Sequence, residues 1–383
     1  MKRPSLPLLI GHAAGLAVGL AAGLKDQLAD GLRNGLTGRG RAAGLGLGAV
    51  LLLAPAWANG YVLSVLTTAL WFAYAGQAWN IMMGFAGQLS LGHALYVGLG
   101  AYVSAGLFVQ AGIGPWLGLW LAVLVAALAG AGIGALGFRF RVRGVYFALL
   151  TIAFAEFCRI GFDHFSALGG SAGLFLPVTP QAAANLFALR GPPALFYYVI
   201  LALTLAALAI SRLLLSSRLG YGWLAVRENP EAAEAAGINV FRAKLSAITI
   251  SAALTAPAGV FQAFFYNNLF PEQVFSMQRS IEIVIGAIVG GVGTLFGPVL
   301  GAFVLTPAGE LLNWAIGRLG HDIPGLKSFC YGLVLVAIVL FLPDGIWPWL
   351  ARRGGLTRPP GTDDQGTDDQ GANDQGANEG ERR

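Results

Sequence analysis

Polar residues able to do chemistry are scarce in this 383-residue chain, of which 56% is hydrophobic and only 11% charged. Two glycine-rich runs hold most of them. The first is Gly84-Phe-Ala-Gly-Gln-Leu-Ser-Leu-Gly-His-Ala94, with Asn80 just before it. The second is Gly290-Gly-Val-Gly-Thr-Leu-Phe-Gly-Pro-Val299. Both read as clustered glycines, a small polar residue, then glycine and an apolar run, so the second half of the chain echoes the first. Glycine breaks in apolar helices free backbone N–H and C=O groups, which can bind a solute where protein or water surrounds them. Asn80, Gly87, Gln88, Ser90, Gly92 and His93 in the first run, with Gly291 and Gly293 in the second, are therefore candidates for a translocation pathway. Gln88 and Ser90 are neutral donors and acceptors, suited to holding a zwitterion in transit or to capping a helix. His93 either bonds the loop backbone or serves a solute or proton. The competing reading of both runs is close helix packing through small residues.

Outside these runs, Thr151 and Glu156 are further pathway candidates. An ionised carboxylate in hydrocarbon is costly, so Glu156 needs a partner or a cavity. Arg159 lies three residues on, on the same helix face, and can supply a structural pair instead of a solute contact. Arg279 and Glu282 read as an interfacial pair. No Gly-x-x-x-x-Gly-Lys-Ser/Thr run occurs, and none of the four lysines (Lys2, Lys25, Lys244, Lys327) follows a glycine, so the chain lacks that route to ATP hydrolysis. His-Glu-x-x-His and Cys-x-x-Cys are also absent, and no spacing suggests a paired nucleophile and base. The expectation is a protein that is not an enzyme and binds no metal.

A third run, Trp223 to Asn239, is polar and carries a helix with complete end signals. Asn229 is a good N-cap and Pro230 suits the first helical position. Glu231 and Glu234 face the positive end of the helix dipole, and Ala232 belongs to a set of four alanines that favour helix. Gly237, before Ile238, can take the left-handed conformation that stops it. One short helix of about two turns is predicted, roughly 10 Å long. Arg218 and Arg227 precede it, beside Glu228, and Arg242 and Lys244 follow it, so the positive-inside rule places it in the cytoplasm. It is either a docking knob for another protein or an ordinary loop helix.

The elements that must hold these runs are membrane spans. A soluble domain carries about 25% charged residues, and the apolar runs here are too many and too long for one soluble core. Glycine, at 55 residues, fits close packing in a bilayer. The predicted class is all-α: a polytopic bundle of about nine or ten spans. Spans are placed near 43–57, 60–83, 88–110, 116–137, 144–163, 194–215, 242–266, 280–305 and 327–349. The net charge of +5 is spread between spans and reads as cytoplasmic loop bias, not a nucleic-acid surface. Arg139-Phe-Arg-Val-Arg143 is then cytoplasmic, 164–193 outside and 216–241 inside. Single crossings by 280–305 and 327–349 would leave Arg352 and Arg353 outside. A break at Gly290–Gly293, aided by Pro298, would divide 280–316 into two pieces and return them to the cytoplasm. Cys158 and Cys330 sit in apolar spans, as small core residues do. Residues 1–42 form an extension that is a weak span, a lipid-surface segment or a poorly ordered stretch. Residues 351–383 form a disordered tail with a five-residue repeat over 361–380.

Asn80-x-x-x-Gly-x-Ala-Gly-Gln-Leu-Ser-Leu-Gly-His-Ala94, Arg143-Gly-x-Tyr-Phe-Ala-Leu-Leu-Thr-Ile-Ala-Phe-Ala-Glu156, Leu168-Gly-Gly-Ser-Ala-Gly173 and the Gly290 run appear in order. So does Arg-Glu-Asn-x-x-x-Ala-Glu-x-x-Gly-Ile-Asn, ending at Asn239. Together they resemble the permease subunits of bacterial ABC importers for branched-chain amino acids, of the LivM type, over about residues 43–350. Leu168 stands where that family usually has threonine. The resemblance implies a type II importer with inverted repeats, in the bacterial inner membrane. It implies a second permease subunit, two cytoplasmic ATPase subunits and a periplasmic solute-binding protein as partners. ATP and Mg would sit at the ATPases, with no cofactor on this chain. Segment 218–241 would be the coupling segment, seated in an ATPase groove through Arg227, Glu228, Asn229, Pro230, Glu231, Ala232, Glu234, Gly237 and Ile238. The same machine carrying urea or short amides is an alternative. An ion-coupled secondary carrier is another, although it would want several buried carboxylates and no docking helix.

Overall fold

The structure, a computed structural model, describes residues 38–177, 189–318, 332, 336, 340 and 342–354. Compact packing divides the chain into residues 51–349 and, separately, 1–50 with 350–383. Residues 1–37 of the expected extension, most of the 327–349 span, Cys330 and residues 355–383 of the expected tail lie outside the described residues; residues 38–42 and 351–354 are helical, so the first helix starts before residue 43 and the last one runs past residue 350. In chain order the helices are α1 (Gly38–Trp57), α2 (Gly60–Asn80), α3 (His93–Ala111), α4 (Pro115–Arg139), α5 (Val145–Asp163) and α6 (Pro193–Leu215). Then follow α7 (Arg218–Glu228), α8 (Pro230–Ala235), α9 (Val240–Tyr266), α10 (Pro271–Val274), α11 (Met277–Gly290), α12 (Gly297–Arg318) and α13 (Ile346–Gly354). Among the described residues α3, α4, α5, α6 and α9 are long and apolar enough to cross a membrane. α2, at 21 residues, is about 31 Å long, which also matches the hydrocarbon thickness.

Side-chain caps start several of these helices. Asn59 accepts from Val62 N–H before α2, Asn239 from Arg242 N–H before α9, and Ser276 from Arg279 N–H before α11. The middle of the bundle is α9, packed on α3 and α4, while α2 packs against α6, α11 and α12. α2 is tied to α9 by indole and phenol donors that need partners when buried: Trp71 Nε1 donates to Ala258 O at 2.9 Å and Tyr74 Oη to Leu254 O at 2.6 Å. The core around them is large and aromatic, with Trp79, Tyr96, Tyr102 and Phe264 buried.

Two expectations change in detail and one is met. The span near 88–110 starts at His93, because a π-helical turn at Ile81–Phe85 ends α2 and residues 86–92 are not helical. The stretch 280–316 divides after Gly290 into two helices, as the break read from its glycines has it. A Cβ on Gly301 would overlap Gly286 O, and one on Gly290 would overlap Gly297 O, so α11 and α12 form an antiparallel hairpin closed at 291–296. α11 has 14 residues, about 21 Å, too short to cross a core of about 30 Å. The run 223–239 holds two helices, α7 and α8, with Asn229 as an extended joint (φ −153°, ψ 107°).

The ends of the helices sort into two groups. One end collects the Arg139–Arg143 turn, α7, α8 and both glycine breaks. The other collects 110–114, 163–175 and 267–276, where β1 (Leu174–Phe175) pairs antiparallel with β2 (Asn268–Leu269) and Gln110 Nε2 donates to Ala167 O.

Candidate functional site

The two glycine breaks, about 200 residues apart in sequence, touch each other. Asn80, fully buried at the end of α2, makes the join. Its Oδ1 accepts from Gly293 N–H at 2.8 Å and its Nδ2 donates to Thr294 O at 2.9 Å. A carboxamide is the one uncharged side chain that can donate and accept in this paired fashion. Gly84 leaves room for the approach: a Cβ there would collide with Asn80 Oδ1 and fall 2.6 Å from Gly293 N. Thr294 closes the hairpin turn, with Oγ1 donating to Gly291 O at 2.7 Å and accepting from Gly297 N–H at 3.1 Å. Gly291 itself packs against Gly345 and Pro348.

Arg227, in the last turn of α7, fits against this junction. Its Nη1 donates to Gly84 O at 2.7 Å, and Nη1 also lies 2.9 Å from where a Gly293 Cβ would be. Its Cγ lies 3.0 Å from the Cβ position of Gly87. Nη2 pairs with Glu228 Oε1 at 2.7 Å. Trp223 adds the apolar half of the contact. It is fully buried, clusters with Ile81, Phe85 and Ala86 of the first break and with Ala247 of α9, and donates from Nε1 to Ser246 Oγ at 3.0 Å.

α8 projects from the end of this assembly. Asn229 Oδ1 accepts from Glu231 N–H at 2.9 Å and Ala232 N–H at 3.1 Å. Gly237 is left-handed (φ +86°), and Ile238 N–H returns to Ala233 O while Gly237 N–H returns to Glu234 O, the double bond pattern of a Schellman stop. Ala233 is buried and Pro230 and Ile238 half-buried; Glu231, Ala232, Glu234 and Gly237 are exposed. The capping signals read from sequence form as expected, on a helix of six residues.

Gln88, Ser90, Gly92, His93 and Thr151 gather just beyond the first break. Ser251 Oγ donates to Ala78 O at 2.7 Å, so His93 Nε2–H must be the donor in its 2.9 Å contact with Ser251 Oγ. Ser90 Oγ, 3.3 Å from Nδ1, then supplies the proton of the second contact while accepting from Gly92 N–H. That assigns a neutral imidazole with both nitrogens used. Thr151 Oγ1 donates to Ala148 O at 2.7 Å and accepts from Leu91 N–H at 3.2 Å, and Gln88 Nε2 donates to Ala86 O at 3.0 Å. Trp79 Nε1 donates to Ser90 O at 2.8 Å. These side chains are buried and hold the non-helical segment in place; in this conformation they do not line an open passage.

Glu156 is not brought to this group. It lies on the exposed side of α5, paired with Arg159 Nε at 2.9 Å, as the structural alternative anticipated. Four contributors escaped the sequence reading: Trp223 as a core residue, Ser251, Thr294, and Ser280, whose Oγ accepts from Ala94 N–H at 2.9 Å. Single serines and threonines in apolar spans carry no local signal; only folding brings them to a partner.

Residues 61–339 match the family described as branched-chain amino acid transport system / permease component. The chain belongs to this permease family. It is 30% identical over 326 residues to the high-affinity branched-chain amino acid transport system permease protein LivM of Escherichia coli, covering 78% of this chain and 74% of that one. The permease protein LivH of the same system in Salmonella typhimurium is 30% identical over 142 residues, 37% of this chain and 44% of that one. The autoinducer 2 import system permease protein LsrC of Klebsiella pneumoniae is 34% identical over 148 residues, 37% of this chain and 40% of that one. No solved structure matches the chain. This permease is thus a multi-pass membrane protein, with the junction described above inside the family-matched region.

Proposed function

We propose that this permease is the membrane-spanning, LivM-like subunit of an ATP-binding-cassette importer in a bacterial inner membrane. Its cargo is a branched-chain or related hydrophobic amino acid, delivered by a periplasmic binding protein. A second, LivH-like permease completes the passage, and two ATPase subunits hold ATP and Mg. The end bearing Arg139–Arg143, Arg218, Arg227 and Arg242 faces the cytoplasm, on the excess of positive charge there.

The observation that carries this reading is the placement of Arg227. An exposed, rigidly capped α8 is continuous with α7, and α7 grips both glycine breaks through one guanidinium. Force applied to α8 by ATPase closure reaches the two places where the helices are interrupted. In this mechanism ATP draws the ATPases together, α8 moves with its groove, and the hairpin turn at 291–296 shifts against the π-helical turn at 81–85. The passage then opens toward the docked binding protein, and hydrolysis resets it. Allostery of this kind needs an element with two arrangements that both sites bias, and the paired breaks are that element. π-helical turns are frequent at functional positions.

The test is uptake into vesicles holding this permease, its partner permease, the ATPases and the binding protein, with labelled leucine compared against labelled urea. Leucine uptake that requires ATP is the expected result. Urea uptake instead would replace the cargo, and leucine uptake without ATP would overturn the role given to α8.

A further inference from the structure

At the end opposite Arg227, α2, α11, α12 and Gly332 line a partly open cavity of about 460 Å³ that contains none of the pathway residues picked out by sequence. Its size falls in the range of about 300–1,000 Å³ found for small-molecule sites. Among the described residues three charged side chains line it: Arg279 and Glu282 on α11 and Glu310 on α12. Arg279 Nη1 meets Glu282 Oε2 at 3.2 Å. The same guanidinium lies over the rings of Trp71 at 5.4 Å and Phe72 at 6.0 Å, which fixes its plane. Its Nε–H is buried and finds no partner among the described residues. Glu310 Oε2 accepts from Tyr61 Oη at 3.1 Å, and no cation pairs with it among the described residues. Phe72, Ile281, Ile285 and Leu305 supply apolar wall.

Among the described residues one guanidinium faces two carboxylates, and only Glu282 is paired with it. A zwitterion complements this wall without changing its net charge: its ammonium meets the carboxylate that has no cation, and its carboxylate meets the exposed side of the guanidinium. We propose that this cavity is a transit site for a free α-amino acid with an apolar side chain. Arg279 takes its carboxylate, Glu282 and Glu310 take its ammonium, and the apolar wall takes its side chain. The assignment rests on the importer reading above, and it gives the outer half of the passage the zwitterion contacts that the buried first break lacks. Arg279 and Glu282 form a latch when the site is vacant, and each exchanges its partner for the ligand's opposite charge when it fills. Exchange of like for like keeps binding weak, as a passage that must release its cargo requires.

The test uses this permease with its partner permease, without binding protein, in phosphatidylglycerol nanodiscs, read by saturation-transfer NMR. Leucine is expected to receive saturation. Leucine amide, lacking the carboxylate, and 4-methylpentanoate, lacking the ammonium, should bind about tenfold more weakly, as loss of one charge-assisted contact requires. Two variants should abolish the leucine signal. Arg279→Met removes the anion contact. Gly286→Leu fills the cavity, and it does so without backbone displacement because a Cβ at Gly286 meets nothing within 4 Å. Signal retained in both variants, or equal binding of leucine and leucine amide, overturns the site. Displacement of leucine by added phosphatidylethanolamine, whose headgroup carries the same pair of charges, with no uptake defect in Gly286→Leu, assigns the cavity to lipid and also overturns it. ATP-driven leucine uptake by the full transporter is measured alongside. Uptake without a cavity signal rejects the site and keeps the function, whereas urea uptake without leucine uptake rejects the function itself.

Discussion

Replacing Arg227 with glutamine should cost coupled transport far more than it costs folding. The Nη1 contact to Gly84 O is a 2.7 Å charge-assisted bond to a buried carbonyl, and such bonds contribute about 1.5–3 kcal/mol. The pair with Glu228 is exposed, with side chains 35% and 72% accessible, so it contributes roughly 0–1 kcal/mol. The carbonyl bond therefore dominates. Gly84 O does not lose all solvation, since Arg227 is itself partly accessible, so the lower half of the range applies. At about 1.4 kcal/mol per decade, the loss corresponds to roughly a tenfold weaker linkage between α7 and the two breaks. The spans, which bury Trp223 independently of Arg227, should remain folded. The assay is leucine imported per ATP hydrolysed in vesicles of the complete transporter, with permease assembly checked by co-purification. The expected result is a fall of about tenfold in that ratio with assembly intact, and a partial fall for Arg227→Lys, whose single ammonium cannot reproduce the forked contacts. A ratio within about twofold of wild type for Arg227→Gln would refute the reasoning, because the geometry leaves no second polar link from α7 to Gly84 among the described residues.

Asn80→Leu keeps the branched shape of asparagine but strands Gly293 N–H and Thr294 O, at about 1–3 kcal/mol each, and should lower the thermal midpoint measurably by several degrees. Ser251→Ala removes the acceptor of His93 Nε2–H and the donor to Ala78 O, so a loss of about 1–3 kcal/mol in stability is expected from denaturant or thermal melts. Gly237→Val forces a β-branched residue to φ +86°, a strain of about 1–2 kcal/mol or more that the exposed end of α8 releases by fraying; co-purification of the ATPases should fall while the spans still melt as wild type. Glu231→Lys with Glu234→Lys places like charge at the N-terminus of α8 and should reduce ATP-driven leucine uptake without altering the melt.

Much of this architecture was legible in local sequence, because helix ends and apolar runs are short-range properties. Asn229, Pro230 and Gly237 announce α8 through groups that bond only within a few residues, and the caps formed as read. The glycine run at 290–293 marked a break, and the hairpin of α11 and α12 occupies that place. Boundaries were less legible. His93, not residue 88, starts α3 because the backbone of 86–92 is satisfied by Trp79, Thr151 and Ser90, contacts that no window of sequence displays. Glu156 looked like a pathway residue because an acid in an apolar run is costly; its pairing with Arg159 on an exposed helix face removes that cost.

By itself the sequence determined that the chain is a many-helix membrane protein, that two glycine breaks and one capped polar helix interrupt it, and that its motifs resemble one permease family. Those properties follow from apolar run length, glycine's missing side chain and capping chemistry, each decided within about a turn or a span. Only the tertiary structure decided that the two breaks meet at Asn80, that Arg227 joins them to α8, and that Arg279, Glu282 and Glu310 share one cavity. These contacts join residues far apart in the chain, and long-range packing of whole helices, with no local signal, sets which polar groups come within bonding distance.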